Sequence, residues 1–133
     1  MLNHLLTLDG GVNDICGPAR CQECRGADDA QEFERQRAKI LTALAEIDAD
    51  VFGLIEMENT TGVSPLADIV AGLNAQLGAG TYDYIDTGTL GTDAIEVGII
   101  YRPSRRSVTS RSSTRGGSST RSTGLSSHGR SRT

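Results

Sequence analysis

The 133-residue sequence lacks the long apolar segments that insertion into a membrane requires. No apolar run approaches the roughly 20 residues of a transmembrane helix. The N-terminal sequence MLNHLLTLDGG also lacks the basic start and the long apolar centre of a secretory signal peptide. These absences predict a protein without a membrane span that either is intracellular or has lost its natural N-terminus.

The last part of the chain lacks the side chains from which a hydrophobic core is built. Residues 104–133 contain no acidic and no aromatic residue, and their only large apolar side chains are Val108 and Leu125. They consist mainly of 11 Ser, 7 Arg, 5 Thr and 4 Gly. Such a segment cannot bury enough apolar surface to offset its conformational entropy, so we expect residues 104–133 to be disordered and residues 1–103 to form the domain.

Three interpretations of residues 104–133 are open. The segment is a flexible solvated tail, an Arg-rich segment that binds nucleic acid, or the product of out-of-frame translation. A regular RGG or RS repeat, which would favour the second, is absent. Frame-shifted reading of a GC-rich gene yields Ser, Thr, Pro, Ala, Arg or Gly, and only Val108, Leu125 and His128 depart from that set. Our working hypothesis is therefore an out-of-frame tail on a truncated product.

The charge is distributed unevenly between these two parts. Residues 1–103 hold 6 basic and 17 acidic residues, a net charge of −11, whereas residues 104–133 carry +7. An acidic domain is poorly suited to binding nucleic acid by phosphate neutralisation alone. If the domain binds a phosphate-containing substrate, bound cations are the expected bridge.

Three cysteines occur close together in CGPARCQEC, with the spacing C-x4-C-x2-C. This spacing is similar to the cluster loop of plant-type ferredoxins, which needs a fourth cysteine that the sequence lacks. A zinc site would need a nearby histidine, and His4 and His128 are poorly placed for that role. The remaining alternative is one loop disulfide in an oxidising compartment, for example Cys16 with Cys24, which leaves Cys21 over.

The pattern of caps and apolar residues predicts a first helix over residues 29–45. Asp28 suits its N-cap, and Gln31 suits the partner position of a capping box. The apolar residues of one helical face are Phe33, Ile40, Leu41, Leu44 and Ile47.

Strand and helix patterns alternate along the domain. LNHLLT predicts a short strand, and DADVFGLIE predicts a turn and a strand that is apolar on both faces, which favours a sheet covered on both sides. Ser64 and Pro65 suit the start of a second helix that ends at Gly78 or Gly80. TYDYID and EVGIIYR predict two further strands. The expected fold class is layered α/β, ending before a full domain is complete. The predicted buried face of the second helix contains Leu66, Ile69, Val70, Leu73 and Leu77.

Two glutamates, Glu56 and Glu58, follow the apolar run that begins at Val51. Functional groups of α/β folds gather at the carboxyl ends of strands, where we expect Glu56 to lie. Mg²⁺ takes oxygen ligands and often only one or two protein carboxylates, so one glutamate is enough to anchor it. The alternative is an ordinary solvent-exposed acid at a strand terminus.

The stretch GADDAQEFERQRAKILTALAEIDADVFGLIEMEN resembles the endonuclease/exonuclease/phosphatase superfamily, in particular its secreted bacterial nucleases of the ExeM/NucH type. Asp50, Val51, Leu54 and Glu56 match the pattern D-[VI]-[VI]-x-L-x-E, whose glutamate binds catalytic Mg²⁺ in that superfamily. LNHLLTLDGGVNDICGP, ECRGAD and GTDAIEVGIIYRP are similar to other family segments. The resemblance implies the N-terminal part of a four-layer, deoxyribonuclease I-like α/β sandwich, an extracellular location, and hydrolysis of phosphodiester bonds in DNA or RNA.

The resemblance also implies roles for four further residues. Asn3 matches the second Asn of a family pattern F-N-x-L-N, which makes it a weaker candidate metal ligand and implies that the main Asn ligand lies before Met1. Glu58, Asn59 and Asp93 match positions near the family site, and we expect them to orient it.

The catalytic residues of the family are not found in this sequence. The His pair and the GDFN-like and SDH-like motifs would follow residue 103, where the sequence contains no Asp, Asn or Glu. We therefore expect an inactive fragment with uncovered apolar faces and unpaired sheet edges. The alternatives are a phosphatase or phospholipid phosphodiesterase of the same superfamily, and a non-enzymatic protein that binds nucleic acid through its Arg-rich tail. No protein partner is inferred.

Overall fold

The computed structural model describes residues 3–11 and 14–103 and has a mixed α/β fold. Its elements are α1 (Ala30–Ile47), β1 (Val51–Glu58), α2 (Pro65–Leu77), β2 (Asp83–Tyr84) and β3 (Ile95–Tyr101). The strands form one antiparallel sheet in the order β1-β3-β2. None of the described helices is long and apolar enough to cross a membrane. The predictions for residues 104–133 lie outside the described residues.

Helix α1 begins one residue later than predicted. Asp29 is the N-cap, and its Oδ1 accepts a hydrogen bond from the Glu32 backbone at 2.8 Å. Glu32 in turn accepts from the Asp28 backbone at 3.2 Å. The N-cap is thus Asp29 rather than Asp28, and the side chain that reaches back over the helix start is Glu32 rather than Gln31. A carboxylate such as Glu32 accepts stronger hydrogen bonds than the neutral amide of Gln31 and interacts favourably with the positive end of the helix dipole.

The apolar face of α1 packs on the core over its central turns. Ile40, Leu41 and Leu44 are buried, as predicted. The prediction for Ile47 is wrong, since this side chain is 64% exposed at the last position of the helix. The helix ends at Ile47, two residues later than predicted, and Asp48, which has a left-handed backbone, is its C-cap.

Helix α2 has the bounds that its caps predict. It starts at Pro65 after Ser64 and ends before Gly78, whose N–H donates to the Asn74 carbonyl. Leu77, at the last turn, is exposed, whereas the other four predicted residues are buried: Leu66, Ile69, Val70 and Leu73. Gly72 lets the two helices approach closely, because a Cβ there would lie 2.5 Å from the Leu41 side chain.

A β-bulge interrupts the pairing of β1 with β3. Leu54 pairs with Gly98 and Met57 with Glu96, so two residues of β1, Ile55 and Glu56, oppose a single residue of β3. The strand predicted in LNHLLT is present only as an isolated parallel bridge between His4 and Met57. The bulge keeps Met57 on the same face of the sheet as Leu54.

The helices and one face of the sheet share the main core. Tyr82 is fully buried there, and its hydroxyl donates to the Ala49 carbonyl at 2.7 Å. Arg102 lies over the Tyr82 ring and is paired with Asp48, which ties the end of β3 to the end of α1. The buried residues of this core are Ile40, Leu41, Leu44, Met57, Leu66, Ile69, Val70, Leu73, Tyr82 and Ile100.

The opposite face of the sheet is only partly covered by the described residues. A small cluster of Leu5, Cys16, Cys24 and Ala94, with Ile15 and Ile95, lies near the C-terminal end of β1. Nearer the start of the strand, Val51 is 61% exposed and Ile55 is 68% exposed. The prediction of a sheet covered on both sides is therefore wrong for this part of the described structure, because an apolar pattern shows which residues can be buried but supplies no covering layer.

Replacing Gly98 by alanine should destabilise the domain, whereas the same change at Gly53 should not. A Cβ at Gly98 would lie 2.6 Å from the Leu66 side chain, while one at Gly53 would meet nothing within 4 Å. We expect Gly98→Ala to lower the free energy of unfolding by about 1–3 kcal/mol. Urea denaturation followed by circular dichroism measures both variants, and equal stabilities would contradict the assignment of the two faces.

Candidate functional site

Glu56 lies inside β1, at the bulge, and the strand continues past it to Glu58. The prediction that Glu56 ends the strand is therefore wrong by two residues. Its backbone is left-handed, with φ of 56°, which is rare for a residue other than glycine. The side chain is half-buried, and none of the described residues donates a hydrogen bond to its carboxylate. The bulge thus holds a carboxylate that is available to a ligand.

Asn3 lies on the segment next to Glu56. The His4 backbone donates to the Glu56 carbonyl at 3.1 Å, and the His4 carbonyl accepts from the Glu58 backbone at 3.1 Å. Since His4 is buried against the helices, alternation along this extended segment directs Asn3 to the other side. The Asn3 amide nitrogen donates to the Arg25 carbonyl at 2.6 Å, so its amide oxygen is the atom suited to a cation.

Glu58 anchors the segment that carries Asn3. Its side chain is fully buried, and Oε2 accepts hydrogen bonds from the backbones of Leu6 and Thr7 at 2.6 and 3.0 Å. Oε1 accepts from the Thr7 hydroxyl at 2.5 Å. Because both carboxylate oxygens are occupied by these donors, Glu58 is suited to holding the backbone in place rather than to binding a ligand.

Asn59 holds the loop between β2 and β3. Its amide nitrogen donates to the carbonyls of Leu90 and Asp93 at 2.6 and 2.8 Å, and its amide oxygen accepts from the Leu90 backbone at 2.9 Å. The Asp93 carboxylate is exposed and accepts from the Ala94 backbone at 2.7 Å. Asn59 therefore contacts the backbone of Asp93 rather than its side chain. The orienting roles expected for these residues stay predictions.

The cysteine loop contains one disulfide, between Cys16 and Cys24, and an exposed free Cys21. This confirms the pairing that the spacing suggested, and it contradicts the iron–sulfur and zinc alternatives for the two bonded cysteines. The Gly17 backbone N–H donates to the Thr60 hydroxyl at 3.0 Å. This hydrogen bond fixes the cysteine loop beside Thr60, the residue after Asn59.

A charged network that sequence reasoning missed joins the N-terminal segment to both helices. Asp68 Oδ2 accepts from His4 Nε2 at 2.9 Å and from Arg37 Nε at 2.8 Å. The His4 ring also stacks on Phe33, with 5.6 Å between ring centroids. The three polar residues are far apart in the sequence and form no local motif. Only the predicted helix faces could have suggested that Arg37 and Asp68 meet.

Burial and hydrogen bonding oppose each other in this network. Burial lowers the pKa of His4 below its ordinary value of 6.5, by more than its hydrogen bond to Asp68 raises it. Burial alone would raise the pKa of Asp68, but hydrogen bonds from Arg37 and His4 together lower it. A neutral His4 therefore donates its Nε2–H to an ionised Asp68.

Glu96 is a second acidic residue beside the bulge that sequence reasoning missed. It pairs with Met57 across β1 and β3, and its Oε2 is buried without a hydrogen-bond partner among the described residues. Burial raises the pKa of its carboxyl group, and the nearby charge of Asp86 acts in the same direction. The apolar pattern of the strand could not indicate that Glu96 is partly buried, because its surroundings depend on the strand with which it pairs.

No group of three or more His, Cys, Asp or Glu side chains within residues 3–11 and 14–103 is arranged to hold a metal ion. Comparison with protein-family models, curated proteins and solved structures finds no match for this chain. The bridge at His4 places the backbone of Asn3 beside that of Glu56, and the metal-binding roles that the resemblance implies for these two residues stay predictions.

Replacing Glu58 by glutamine should destabilise the domain much more than the same change at Glu56. Glutamine keeps one acceptor oxygen and brings an NH₂ group towards backbone donors, so we expect a loss of about 2–4 kcal/mol in the free energy of unfolding. Glu56→Gln removes no hydrogen bond recorded among the described residues, and we expect a change within about 0.5 kcal/mol. Chemical denaturation of both variants checks this. A larger loss at Glu56 would contradict the roles assigned to the two glutamates.

Acidification should weaken the fold through His4. The pKa of His4 is lowered in the folded state, so below pH 6.5 the unfolded chain takes up a proton that the folded chain resists. The contribution of His4 to stability is therefore complete above pH 6.5 and is lost as the pH falls from 6.5 towards the lowered pKa. Asp68 changes the stability of the fold in a lower pH range. The stability that it contributes is lost only as the pH falls below the ordinary Asp pKa of 3.8.

The free energy of unfolding, measured by urea denaturation at several pH values from 7.5 to about 5, tests the role of His4. We expect His4→Gln to flatten the decrease, while His128→Gln, at the only other histidine, should keep it. An unchanged slope in His4→Gln would show that another group is responsible.

Proposed function

We propose that this chain carries the glutamate-bearing part of a Mg²⁺-dependent extracellular nuclease of the endonuclease/exonuclease/phosphatase superfamily, which hydrolyses phosphodiester bonds in DNA. The observation that carries the proposal is the Glu56 carboxylate, which is half-buried at the bulge, beside the segment of Asn3, and accepts no hydrogen bond from a described residue. Such a carboxylate is poorly explained by a structural role.

The donor set fits a hard divalent cation. Mg²⁺ uses oxygen ligands and commonly takes one or two protein carboxylates while water and substrate fill its other positions. Glu56 supplies one carboxylate, and Asn3 supplies an amide oxygen. A bound Mg²⁺ would neutralise charge on a phosphodiester, which an acidic protein surface could not otherwise approach favourably.

Neighbouring residues are suited to holding these two ligands in place. Glu58 fixes Leu6 and Thr7, and with them the segment of Asn3, against β1. Asn59 fixes the loop that contains Leu90 and Asp93. In this proposal both residues are positioning residues, because their side chains are occupied by backbone partners.

Two further features support the proposal. The Cys16–Cys24 disulfide is typical of an oxidising compartment, as expected for a secreted enzyme. One helical layer and one sheet are also the parts expected from half of a four-layer α/β sandwich.

His4, the only histidine among the described residues, is buried and paired with Asp68, so it is poorly placed to act as an acid or base at Glu56.

Mg²⁺ binding to the purified chain tests the proposal. We expect Mg²⁺ to shift amide resonances around Glu56 in NMR spectra, and Glu56→Gln to weaken binding about tenfold or more, because a charged ligand is lost. Glu46→Gln is the matched control, since Glu46 is an exposed glutamate on α1. Equal affinities of Glu56→Gln and Glu46→Gln would contradict the assignment of Glu56.

A plasmid-nicking assay with Mg²⁺ adds a functional readout. We expect little or no cleavage by this chain, because the family's catalytic histidines have no counterpart near Glu56 among the described residues. Any cleavage should be lost in Glu56→Gln. Cleavage that persists in Glu56→Gln would contradict a nuclease site at this position.

A further inference from the structure

A cavity of about 230 Å³ lies between the N-terminal segment, the cysteine loop and the start of β3. It is on the outer side of the sheet, which faces away from the helices, and its apolar lining is Leu5, Ala94 and Ile95. Leu5 follows Asn3 by two residues, and alternation along the extended segment turns both side chains to the same side. Their Cα atoms are about 7 Å apart, since each extended residue advances the chain by about 3.3 Å. The cavity therefore lies next to the proposed metal ligand Asn3.

The cavity also has charged groups of both signs. Arg25, Glu23 and Asp93 line it, and all three residues are exposed. None of the described residues is recorded as a partner of the Arg25 guanidinium or of the Glu23 carboxylate. The Asp93 carboxylate accepts from the Ala94 backbone and keeps further acceptor capacity. A ligand in the cavity would thus meet a strong donor and two acceptors beside an apolar surface.

The backbone of Arg25 is held in place by three contacts. Cys24, the preceding residue, is buried in the disulfide, and the Arg25 carbonyl accepts from the Asn3 amide at 2.6 Å. Gly26, the next residue, lies so close to Leu5 that an added Cβ would be 3.0 Å from the Leu5 side chain. The guanidinium extends from a fixed backbone, so less conformational entropy is lost when a ligand binds.

We propose that this cavity holds one unpaired nucleobase of a single-stranded DNA substrate, with Arg25 donating to the base and Glu23 and Asp93 accepting from it. The edges of nucleobases present donors and acceptors side by side, and Arg and carboxylate side chains are typical partners for them. A mainly apolar lining with a few polar groups is also the usual composition of a small-molecule site. This inference names the substrate class of the Glu56 site and rests on the proposed function.

A base matches the cavity better than a phosphate does. Glu23 and Asp93 would repel a phosphate that Arg25 attracts, whereas a base is uncharged. The cavity is smaller than the roughly 300–1,000 Å³ of typical ligand pockets, which suits one base rather than a whole nucleotide. A base that is paired in a duplex must first leave the stack, and this step costs free energy. The cavity therefore favours single-stranded DNA over duplex DNA.

An NMR titration of the full 133-residue chain with a short single-stranded oligodeoxynucleotide that contains all four bases, in the presence of Mg²⁺, tests the inference. We expect shifts of the amide resonances of Leu5, Arg25 and Ala94, and binding at least about tenfold tighter than that of the same sequence as a duplex. Arg25→Gln should weaken single-strand binding about tenfold or more, because hydrogen bonds to the base are lost. Arg35→Gln is the matched control, since it removes the same charge at an exposed position of α1 outside the cavity.

A strand of the same length in which every nucleotide is abasic separates a base from a phosphate as the ligand. The abasic strand keeps its phosphates, so Arg25→Gln should weaken its binding no more than Arg35→Gln does. An equal loss by Arg25→Gln on the intact and the abasic strand would overturn the inference and would show that Arg25 binds phosphate. Equal effects of the two Arg variants on the intact strand would also overturn it, as would duplex binding as tight as single-strand binding.

The Mg²⁺ titrations of Glu56→Gln and Glu46→Gln separate this inference from the proposed function. If both variants bind Mg²⁺ equally while Arg25→Gln still weakens binding of the intact strand selectively, the nuclease proposal fails and the cavity remains a base-binding site. If Mg²⁺ binds at Glu56 but Arg25→Gln leaves strand binding unchanged, the inference about the cavity fails and the nuclease proposal stands.

Discussion

The bulge at Ile55 and Glu56 determines the direction of every later side chain in β1. In a regular strand, alternation from Leu54 would place Glu56 and Glu58 towards the core and Met57 away from it. The extra residue reverses this order, so Met57 enters the main core and Glu58 meets the backbones of Leu6 and Thr7. The N-terminal segment can therefore dock beside β1 only because the strand is irregular.

The same irregularity separates the roles of the two glutamates. Glu58 lies where backbone donors surround its carboxylate, and its burial is stabilised by those hydrogen bonds. Glu56 has a strained left-handed backbone and lacks such donors among the described residues. Strain of this kind persists only where the surrounding pairing enforces it, and here the bridge at His4 and the pairing of Met57 do so.

Local signals in the sequence predicted the parts of the fold that local interactions decide. Ser64 and Pro65 predicted the start of α2, and Gly78, one of two glycines expected to end it, directly follows its last residue. The close spacing of the cysteines suggested a loop disulfide, with Cys16 and Cys24 as one example of its pairing. The bulge could not be predicted, because an apolar run that contains one extra residue has the same sequence pattern as the apolar run of a regular strand. The contacts of Asp68 with His4 and Arg37 join segments 64 and 31 residues apart, so they depend on how the helices pack rather than on any motif.

The bulge also lies at the boundary between two halves of the outer side of the sheet. Towards the C-terminal end of β1, the disulfide loop and Leu5 cover the sheet, while towards its start Val51 and Ile55 are exposed. Glu56 directly follows Ile55, so any layer that packs on Ile55 lies next to the Glu56 carboxylate. Excluding water there would strengthen the attraction between Glu56 and a cation and would raise the cost of leaving the carboxylate without one. If Glu56 binds a cation as proposed, a layer that packs on Ile55 would therefore strengthen that binding.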